Sequence, residues 1–560
     1  MTSRIWMLVC LLTLSSAILA GQPKPLSQRV TIYRDAYGTP HVFGRTDVST
    51  VFGFAYAQAE DNFPRMEENF ILALGRASEV FGEDFLEDDR LNRTLEIEGR
   101  AREDYQQGSP KLHELCAAFA DGVNYYLSRH PDVKPRLLTK IEPWYPQALM
   151  RYSYYQEGFA HDPKLEKAGL RSTVTSLIHD RNGSNGWVIA PSRSANGHAK
   201  LFINPHLPFF GPAQVYEGHV HSDEGWEFSG CARFGFLFPY IGYNASLGWM
   251  ATDNSADMVD GYVEIFDDPA HPGSYKYGNE HRTATSRSAT IKVKTAGGME
   301  SRSIQVLTTH HGPVIRTKDG KAIAIRMARY DAHGWVDEWY QMTKAHTLKE
   351  LKSSIAPLEM LFGNIMSADS DGNIFYLYNA AVPRRGPKYD WSQPVDGSDP
   401  GTEWQGYYAW EELPHLENPG TGWMQNCNTS PFLLTSSGNP DPARYPKWMV
   451  REEDNPRGRA SRRILDANHS FTFEQWSRAA FDTHVITADE LLPQWLNKTV
   501  PQRESPRKAT LDAALNELRA WNHDASVSSV ATTLFVNWHH AMDRQDATPE
   551  ILLAKFRSDR

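Results

Sequence analysis

The stretch RNGSNGWVIAPSRSANGHAKLFINPHLPF, Arg181 to Phe209, decides how this chain is read. Two apolar-rich runs, Trp187–Ala190 and Ala199–Ile203, flank a polar segment with an Asn196-Gly197 turn signal, so two antiparallel strands are expected. A reversal near Asn196 sets a residue between about 206 and 209 opposite Ser184 and brings His206 close to it. A serine at the mouth of a strand, after Gly183 and before Asn185, sits where backbone strain is tolerated and a hydroxyl stays accessible. A polar turn leading into a core strand accounts for the same letters, because Gly/Ser/Asn clusters are common punctuation. On this stretch alone both readings stand.

With 560 residues the chain has ample length for a sizeable core, and 41% hydrophobic content excludes disorder as a whole. A formal net charge of -10 and the lack of a long basic run argue against a nucleic-acid partner, which requires a concentrated basic surface. Residues 1–20 combine Arg4, an apolar run from Ile5 to Leu14 and a small-residue end at Ala20, the layout of a secretory signal peptide. An uncleaved membrane anchor is the alternative, but the run is short for a span, and no later segment is long enough for a transmembrane helix. Cys10 lies in that run, so Cys116, Cys231 and Cys427 remain and permit at most one disulfide. An exported protein, periplasmic or secreted, without a stable membrane span is expected.

RVTIYRDAYGTPHVFG alternates apolar and polar residues about Tyr37-Gly38 and predicts two short strands. Asp47 can cap a following helix with Val48, Val51, Phe52, Ala55 and Ala59 on one face, and Pro64 fits the first turn of a second. Lys111 to Arg129 reads as a third. Residues 21–162 are thus mainly helical, and periodicity fades over 163–183, a connecting segment. From Ser184 strand signals dominate: SATIKVKT and RSIQVLTT flank Ala296-Gly297-Gly298, and GNIMSAD and NIFYLYN flank Ser370-Asp371-Gly372. Helical periodicity returns at 461–467, 472–481 and 509–521. Helices, then antiparallel strands, then helices indicate an α+β layered fold.

Metal chemistry was considered at His219-Val220-His221 with Glu224, at His310-His311 and at His539-His540. None offers a third ligand at a recognised spacing, so structural histidines are the plainer reading. Asp253, Asp257 and Asp260 could supply hard oxygen ligands but lack the EF-hand pattern. There is no GxxxxGK[ST] loop, no GxGxxG opening a helix and no GxSxG elbow about Ser184, so no organic cofactor is expected.

The chain also carries, in order, IYRDAYGTPHVFG, FGFAYAQAEDNFPRMEENFILALGRASEVFG, AFADGVNYYL, GSNGWVIAPSRSANGHAKLFINPHLPF, IGYNASLGWMATDNSADMVDGY, TTHHGPVI, GNIMSADSDGNIFY, VPRR and RGRASRRILDANHSFTFEQWS. In this it resembles the penicillin acylase and acyl-homoserine lactone acylase family of N-terminal nucleophile hydrolases, from about residue 29 to 540. The resemblance implies the four-layer αββα fold with mainly antiparallel sheets. It implies a precursor that cuts itself between Gly183 and Ser184 into an α chain and a β chain (184–560) that stay associated, with 163–183 as linker or propeptide. The freed α-amine, with an ordinary pKa of about 7.7 to 8.0, then acts as base for the Ser184 hydroxyl.

By the same resemblance Asn364 and the backbone N–H of Asp253 stabilise the oxyanion, His206 positions the amine, and Arg385 lies near the asparagine, with Arg384 exchangeable by a one-residue slip. Asp257, Val259 and Asp260 match a calcium site that not all relatives keep. The chain departs from the pattern at Asp253, usually small or apolar, and by stopping early in TPEILLAKFRSDR, which suggests a truncated C-terminal part. The implied substrate is a small acyl amide: an acyl-homoserine lactone or other fatty acyl amide first, because His206 follows that pattern, and a penicillin- or cephalosporin-type β-lactam amide second. Phe209, Phe210, Phe234, Phe236, Phe238 and Tyr240 are candidate lining for an apolar acyl pocket. A catalytically silent binding protein of the same fold and a metallohydrolase are the rivals.

Overall fold

The computed structural model describes residues 24–158, 162, 183–316, 321–360, 362–497 and 508–543. The expected signal peptide, the linker over 163–182 and the C-terminal TPEILLAKFRSDR segment lie outside these residues.

A helical layer opens the architecture. The segment Asp47–Ala73 is helical but kinked at Asn62 (φ -160, ψ 64), two residues before Pro64. Proline has no backbone N–H to donate and clashes with the preceding turn, so the helix restarts there, and the Asn62 side chain accepts the Arg65 N–H at 3.2 Å. The cap is Thr46, whose hydroxyl accepts from Ser49 N; Asp47 falls in the first turn instead and is buried against Ser222, Tyr340 and Lys344. Pro110–Arg129, capped by Ser109, packs on this helix.

Beneath lies a nine-stranded sheet. Its spatial order is Val30–Arg34, Pro40–Gly44, Val215–Ser222, Trp226–Arg233, Ile241–Tyr243, Leu247–Thr252, Phe362–Asp369, Ile374–Ala380 and His415–Glu417. Every pairing is antiparallel except Pro40–Gly44 with Val215–Ser222. The helix grips the sheet through Phe54 on Tyr216 (ring centroids 5.6 Å) and through Gln58 and Asn69, whose side-chain amides donate to the carbonyls of Phe236 and Phe234.

The third layer is a three-stranded sheet with Gly183–Ile189 between Trp423–Asn426 and Lys200–His206. Strand alternation sends Trp187 and Ile189 outward, where with Trp423 they meet Leu465, Phe471 and Trp476 of the fourth, helical layer. Ser184, Gly186 and Val188 face inward toward the nine-stranded sheet. The layers approach so closely at Gly186 that a Cβ there would fall 2.3 Å from the Met250 sulfur. The four layers run helix, sheet, sheet, helix. A further six-stranded sheet holds Thr285–Thr295, Gly298–Thr309, Gly312–Arg316, Ala322–Met327, Val259–Glu264 and Val395–Asp396.

The opening hairpin forms, but not around Asn196. Ser184 faces Pro205 and Gly183 faces His206, just short of the 206 to 209 window. Pro191–Arg193 is a single 3-10 turn that begins the reversal early, and Asn196-Gly197, with Gly197 at φ +70, is a bend inside the connection rather than its apex. Cys116, Cys231 and Cys427 are all free thiols. Among the described residues no helix is long and apolar enough to cross a membrane.

Candidate active site

Ser184 is 4% exposed, not the accessible hydroxyl that its place near a strand end suggested. In the continuous chain its Oγ donates to the Gly183 carbonyl oxygen at 2.7 Å, and its N–H donates to Asn428 Oδ1 at 2.7 Å. Arg457 closes the other side: Nη1 donates to the Ser184 carbonyl at 2.7 Å and to Asn185 Oδ1 at 2.8 Å, and Nη2 donates to Asn428 Oδ1 at 3.0 Å. Gly183 is needed for this proximity, since a Cβ there would lie 2.9 Å from Arg457 Nη2 and 3.3 Å from Asn428 Oδ1.

Asn428 is shaped by its own turn. It adopts φ 59, a left-handed conformation that asparagine tolerates better than most side chains, and its N–H donates to Asn426 Oδ1 at 3.0 Å. Asn426 Oδ1 also accepts from Thr252 Oγ1 at 2.6 Å and from Asn364 Nδ2 at 3.3 Å. Asn364 is fully buried; its Nδ2 also reaches Thr252 Oγ1 (3.0 Å) and the Asp253 carbonyl (3.2 Å), while its Oδ1 accepts from Tyr376 (2.5 Å). Asn428 Nδ2 donates to that same Asp253 carbonyl at 2.9 Å. The pairing of Asn364 with Thr252 across adjacent strands fixes this arrangement. The Asp253 side chain is exposed, turned away from the buried polar network its carbonyl joins.

His206 is half-buried, with Nε2 2.8 Å from Asn204 Oδ1. Burial, and then the Arg457 charge, hold its imidazole below the ordinary histidine range, so it is neutral at pH 7.

Ser184, Asp253 and Asn364 are therefore joined through Asn426 and Asn428 at one end of the inter-sheet space, with Gly183 and His206 paired beside them at the strand end. Arg385 is hydrogen-bonded elsewhere: its Nε donates to Asp260 Oδ2 at 2.6 Å and its Nη2 to the Asp257 carboxylate and carbonyl, both at 2.9 Å. Arg384 pairs with Glu412 at the surface.

This bears on the calcium expected at Asp257, Val259 and Asp260. Asp257 is ion-paired with Arg385 and with Arg451 (2.7 Å), and Asp260 Oδ2 also accepts from Trp404 Nε1 at 2.7 Å. Calcium needs six to eight oxygens with little positive charge nearby, and carboxylates already turned to two guanidiniums do not fit it in this arrangement. Among the described residues two other groups of His and Asp/Glu side chains converge, His310, His311 and Glu403, and His484, Asp489 and His523; neither is the oxygen-rich set that calcium prefers.

Nor do all the candidate acyl-pocket aromatics serve together. Phe234, Phe236, Phe238 and Tyr240 are buried in the main core, with Phe236 and Tyr240 packed on Trp339, whereas Phe209 and Phe210 are 85% and 86% exposed. Sequence reasoning missed Asn426, Asn428, Thr252 and Arg457. The polar NCNTS cluster after Trp423 was the available signal, and it reads locally as a turn.

A family model described as penicillin amidase matches residues 29–558. The chain belongs to the penicillin amidase family. Among curated penicillin amidase relatives, "Penicillin acylase 2 proenzyme" of Pseudomonas sp. (strain SE83) is 27% identical over 72% of this chain and 59% of its own. "Acyl-homoserine lactone acylase PvdQ" of Pseudomonas fluorescens (strain Pf0-1) is 24% identical over 89% of this chain and 71% of its own. The chain thus spans about 59% of the length of the first and 71% of the second. The thermostable penicillin G acylase from Alcaligenes faecalis, orthorhombic form, superposes with a TM-score of 0.52 at 24% identity, covering 64% of each chain. That likeness carries the fold: this penicillin amidase chain has the N-terminal nucleophile hydrolase architecture.

Proposed function

We propose that this chain is the precursor of an exported amidohydrolase that cleaves itself before Ser184 and then hydrolyses small N-acyl amides through an acyl-enzyme on that serine. The observation that carries the reading is Ser184 Oγ held 2.7 Å from the Gly183 carbonyl oxygen, at the start of a buried strand whose N–H is bonded to Asn428. Ser184 Oγ adds to the Gly183 carbonyl carbon, the C–N bond breaks, and the hydroxyl proton ends on the departing nitrogen, leaving Gly183 esterified to Oγ. Water hydrolyses the ester to a Gly183 carboxylate and a Ser184 with free hydroxyl and amine. The division into a mainly helical 21–162, a linker over 163–183 and a catalytic 184–560 follows from this step, as does association of the two chains.

In turnover the amine takes the Oγ proton, through one water, as Oγ adds to the substrate carbonyl. Asn364 Nδ2 and the Asp253 N–H donate to the oxyanion, which requires Asn364 to release one of its present acceptors. The proton passes to the leaving amine, and water then frees the carboxylic acid. Neutral His206, adjacent across the hairpin, positions the amine. Arg385 acts at a remove, by fixing the loop that carries Asp253 and Asp257.

For substrate we favour an acyl-homoserine lactone or another fatty acyl amide over a penicillin-type amide. The exposed Phe209 and Phe210, just beyond His206, offer apolar surface to a long acyl chain, and relatives named acyl-homoserine lactone acylases align over most of the chain. Export to the periplasm or beyond is inferred from the leader over 1–20.

Intact-mass analysis tests the core of the proposal. Wild-type protein is expected as two chains, the second starting at Ser184, and Ser184→Ala as one uncut, inactive chain. Processing or activity that survives Ser184→Ala overturns the mechanism. A panel of acyl lengths on processed protein tests the substrate, and no amine release from any long-chain amide would rule out the first choice.

A further inference from the structure

Away from the nucleophile, the second histidine of TTHHGPVI and its neighbour find the partner that local spacing did not offer. Glu403, 93 residues beyond His310 in sequence, brings its Oε1 to 2.8 Å from His310 Nε2 and 3.2 Å from His311 Nε2. The three ligand atoms lie within 4.8 Å of one another. Two ligands each about 2.0 to 2.1 Å from a tetrahedral zinc ion are separated by about 3.3 Å, so little movement is needed to admit one.

The surroundings are those of a metal site rather than of a chance cluster. Each histidine has its other ring nitrogen held: His311 Nδ1 is 2.9 Å from Glu264 Oε1, fully buried, and His310 Nδ1 is 2.9 Å from the Tyr275 hydroxyl. Such outer partners orient the ring and direct the remaining nitrogen at the ion. A carboxylate accepts only, so Glu264 holds a proton on His311 Nδ1, and Glu403 Oε1, 3.2 Å from His311 Nε2, faces the position that a metal ion would take in place of a second ring proton. Arg326 Nη1 holds the other Glu403 oxygen, Oε2, at 2.6 Å, leaving Oε1 for one-point ligation. Glu264 Oε2 is buried without a hydrogen-bond partner among the described residues. Tyr262 stacks on His311 at 3.8 Å and fixes the ring plane. A cavity of about 520 Å³ lined by His310, His311 and Arg326 opens onto the cluster and gives an ion and its water a route.

We propose that His310, His311 and Glu403 form a binding site for a borderline divalent cation of the zinc class, with Glu264 and Tyr275 as its outer shell and water completing four-coordination. The ligand set, two imidazoles and one carboxylate, suits zinc and cobalt(II) and not calcium. It borders the Asp257–Asp260 region, with Arg326 opposite Asp260 across the strand pair, but shares no proposed ligand with it and contains none of the residues assigned to amide hydrolysis.

The test is cobalt(II) and zinc titration of tag-free, full-length Ser184→Ala protein, which is expected to remain a single chain. One equivalent of cobalt is expected to give visible absorption bands of a four-coordinate ion, displaced by one equivalent of zinc. His310→Ala and Glu403→Gln should each weaken zinc binding by at least about tenfold. His310 is exposed, so its loss tests ligation with little risk to folding, which circular dichroism checks. His523→Ala, in the other His/Asp cluster, should leave binding unchanged. No bound metal in the parent protein, affinity unaltered in both His310→Ala and Glu403→Gln, or binding abolished by His523→Ala instead would each overturn the proposal.

Discussion

Arg457 sets a permanent positive charge 2.7 Å from the Ser184 carbonyl, so an amine released at Ser184 must share its surroundings with a guanidinium. A like charge favours the neutral amine and lowers its pKa from about 7.7 to 8.0, which makes it a better base at neutral pH. Since His206 is itself held below its usual range, the acidic limb of kcat/KM is assigned to the amine, with activity rising as pH passes the amine's pKa. Arg457→Met removes the like charge, so the limb should move to higher pH by up to about one unit; an unmoved limb in processed Arg457→Met would refute the assignment. Asn364→Ala should lower kcat by about 100- to 1000-fold with KM little changed, measured on an acyl amide after confirming cleavage. Ser184, His206 and Asn364 were legible because each lies in a long, ordered motif. Asn428 was not, because it reaches Ser184 across 244 residues, a proximity that no local pattern encodes; Arg457 opens the motif RGRASRR, but its contact with the Ser184 carbonyl spans 273 residues and is not written there.

The strand Gly183–Ile189 joins these residues to the fold: its inward face carries the nucleophile, and its outward Trp187 packs on Phe202 (4.9 Å) and Trp476 (6.0 Å). The apolar run that makes it a strand was plain in the sequence, as were both later hairpins, the helix Pro110–Arg129 and the opening strand pair. The register was not, because the early 3-10 turn at Pro191–Arg193 shifts the reversal ahead of the stronger Asn-Gly signal. The two helices expected on either side of Pro64 are both present, meeting at the non-helical Asn62, with Pro64 in the first turn of the second. At Gly183 a change bears directly on cleavage. The Arg457 side chain that a Cβ would meet is pinned by three hydrogen bonds, so Gly183→Ala must push it from the Ser184 carbonyl. Self-cleavage should slow by about tenfold or more while the fold persists, read from the time course of the uncut band; cleavage at the wild-type rate would show that this contact does not matter.

Among the described residues many buried charges meet charged partners, as Arg151 meets Asp104 and Arg385 meets Asp260, with consequences for ions and for pH. Arg385 and Arg451 neutralise Asp257, so calcium at about 1 mM should leave the melting temperature unchanged, and a clear rise would show that the guanidiniums yield to it. Glu338 is held differently. It lies on the helix Trp335–Lys344 at 4% exposure, accepting N–H bonds from Glu359 (2.8 Å) and Met360 (3.0 Å), with no ion-pair partner among the described residues. Burial pushes its carboxyl up to about 8, the two N–H bonds opposing and the Glu359 charge reinforcing the shift. A carboxyl raised in the folded state gives its full stability below the unfolded value of about 4.3 and loses it as pH rises toward 8, because only the unfolded chain ionises freely in that window. Glu338→Gln cannot ionise but gives up one N–H acceptor, at about 1 to 3 kcal/mol. It should therefore be less stable than the parent near pH 5, with the gap closing toward pH 8 as the parent loses stability and the variant does not. Urea unfolding in the uncut Ser184→Ala background, where no chain separation intervenes, measures both curves. Parallel curves across that range would mean that Glu338 is ionised in the folded protein, its charge carried by the two backbone N–H groups alone.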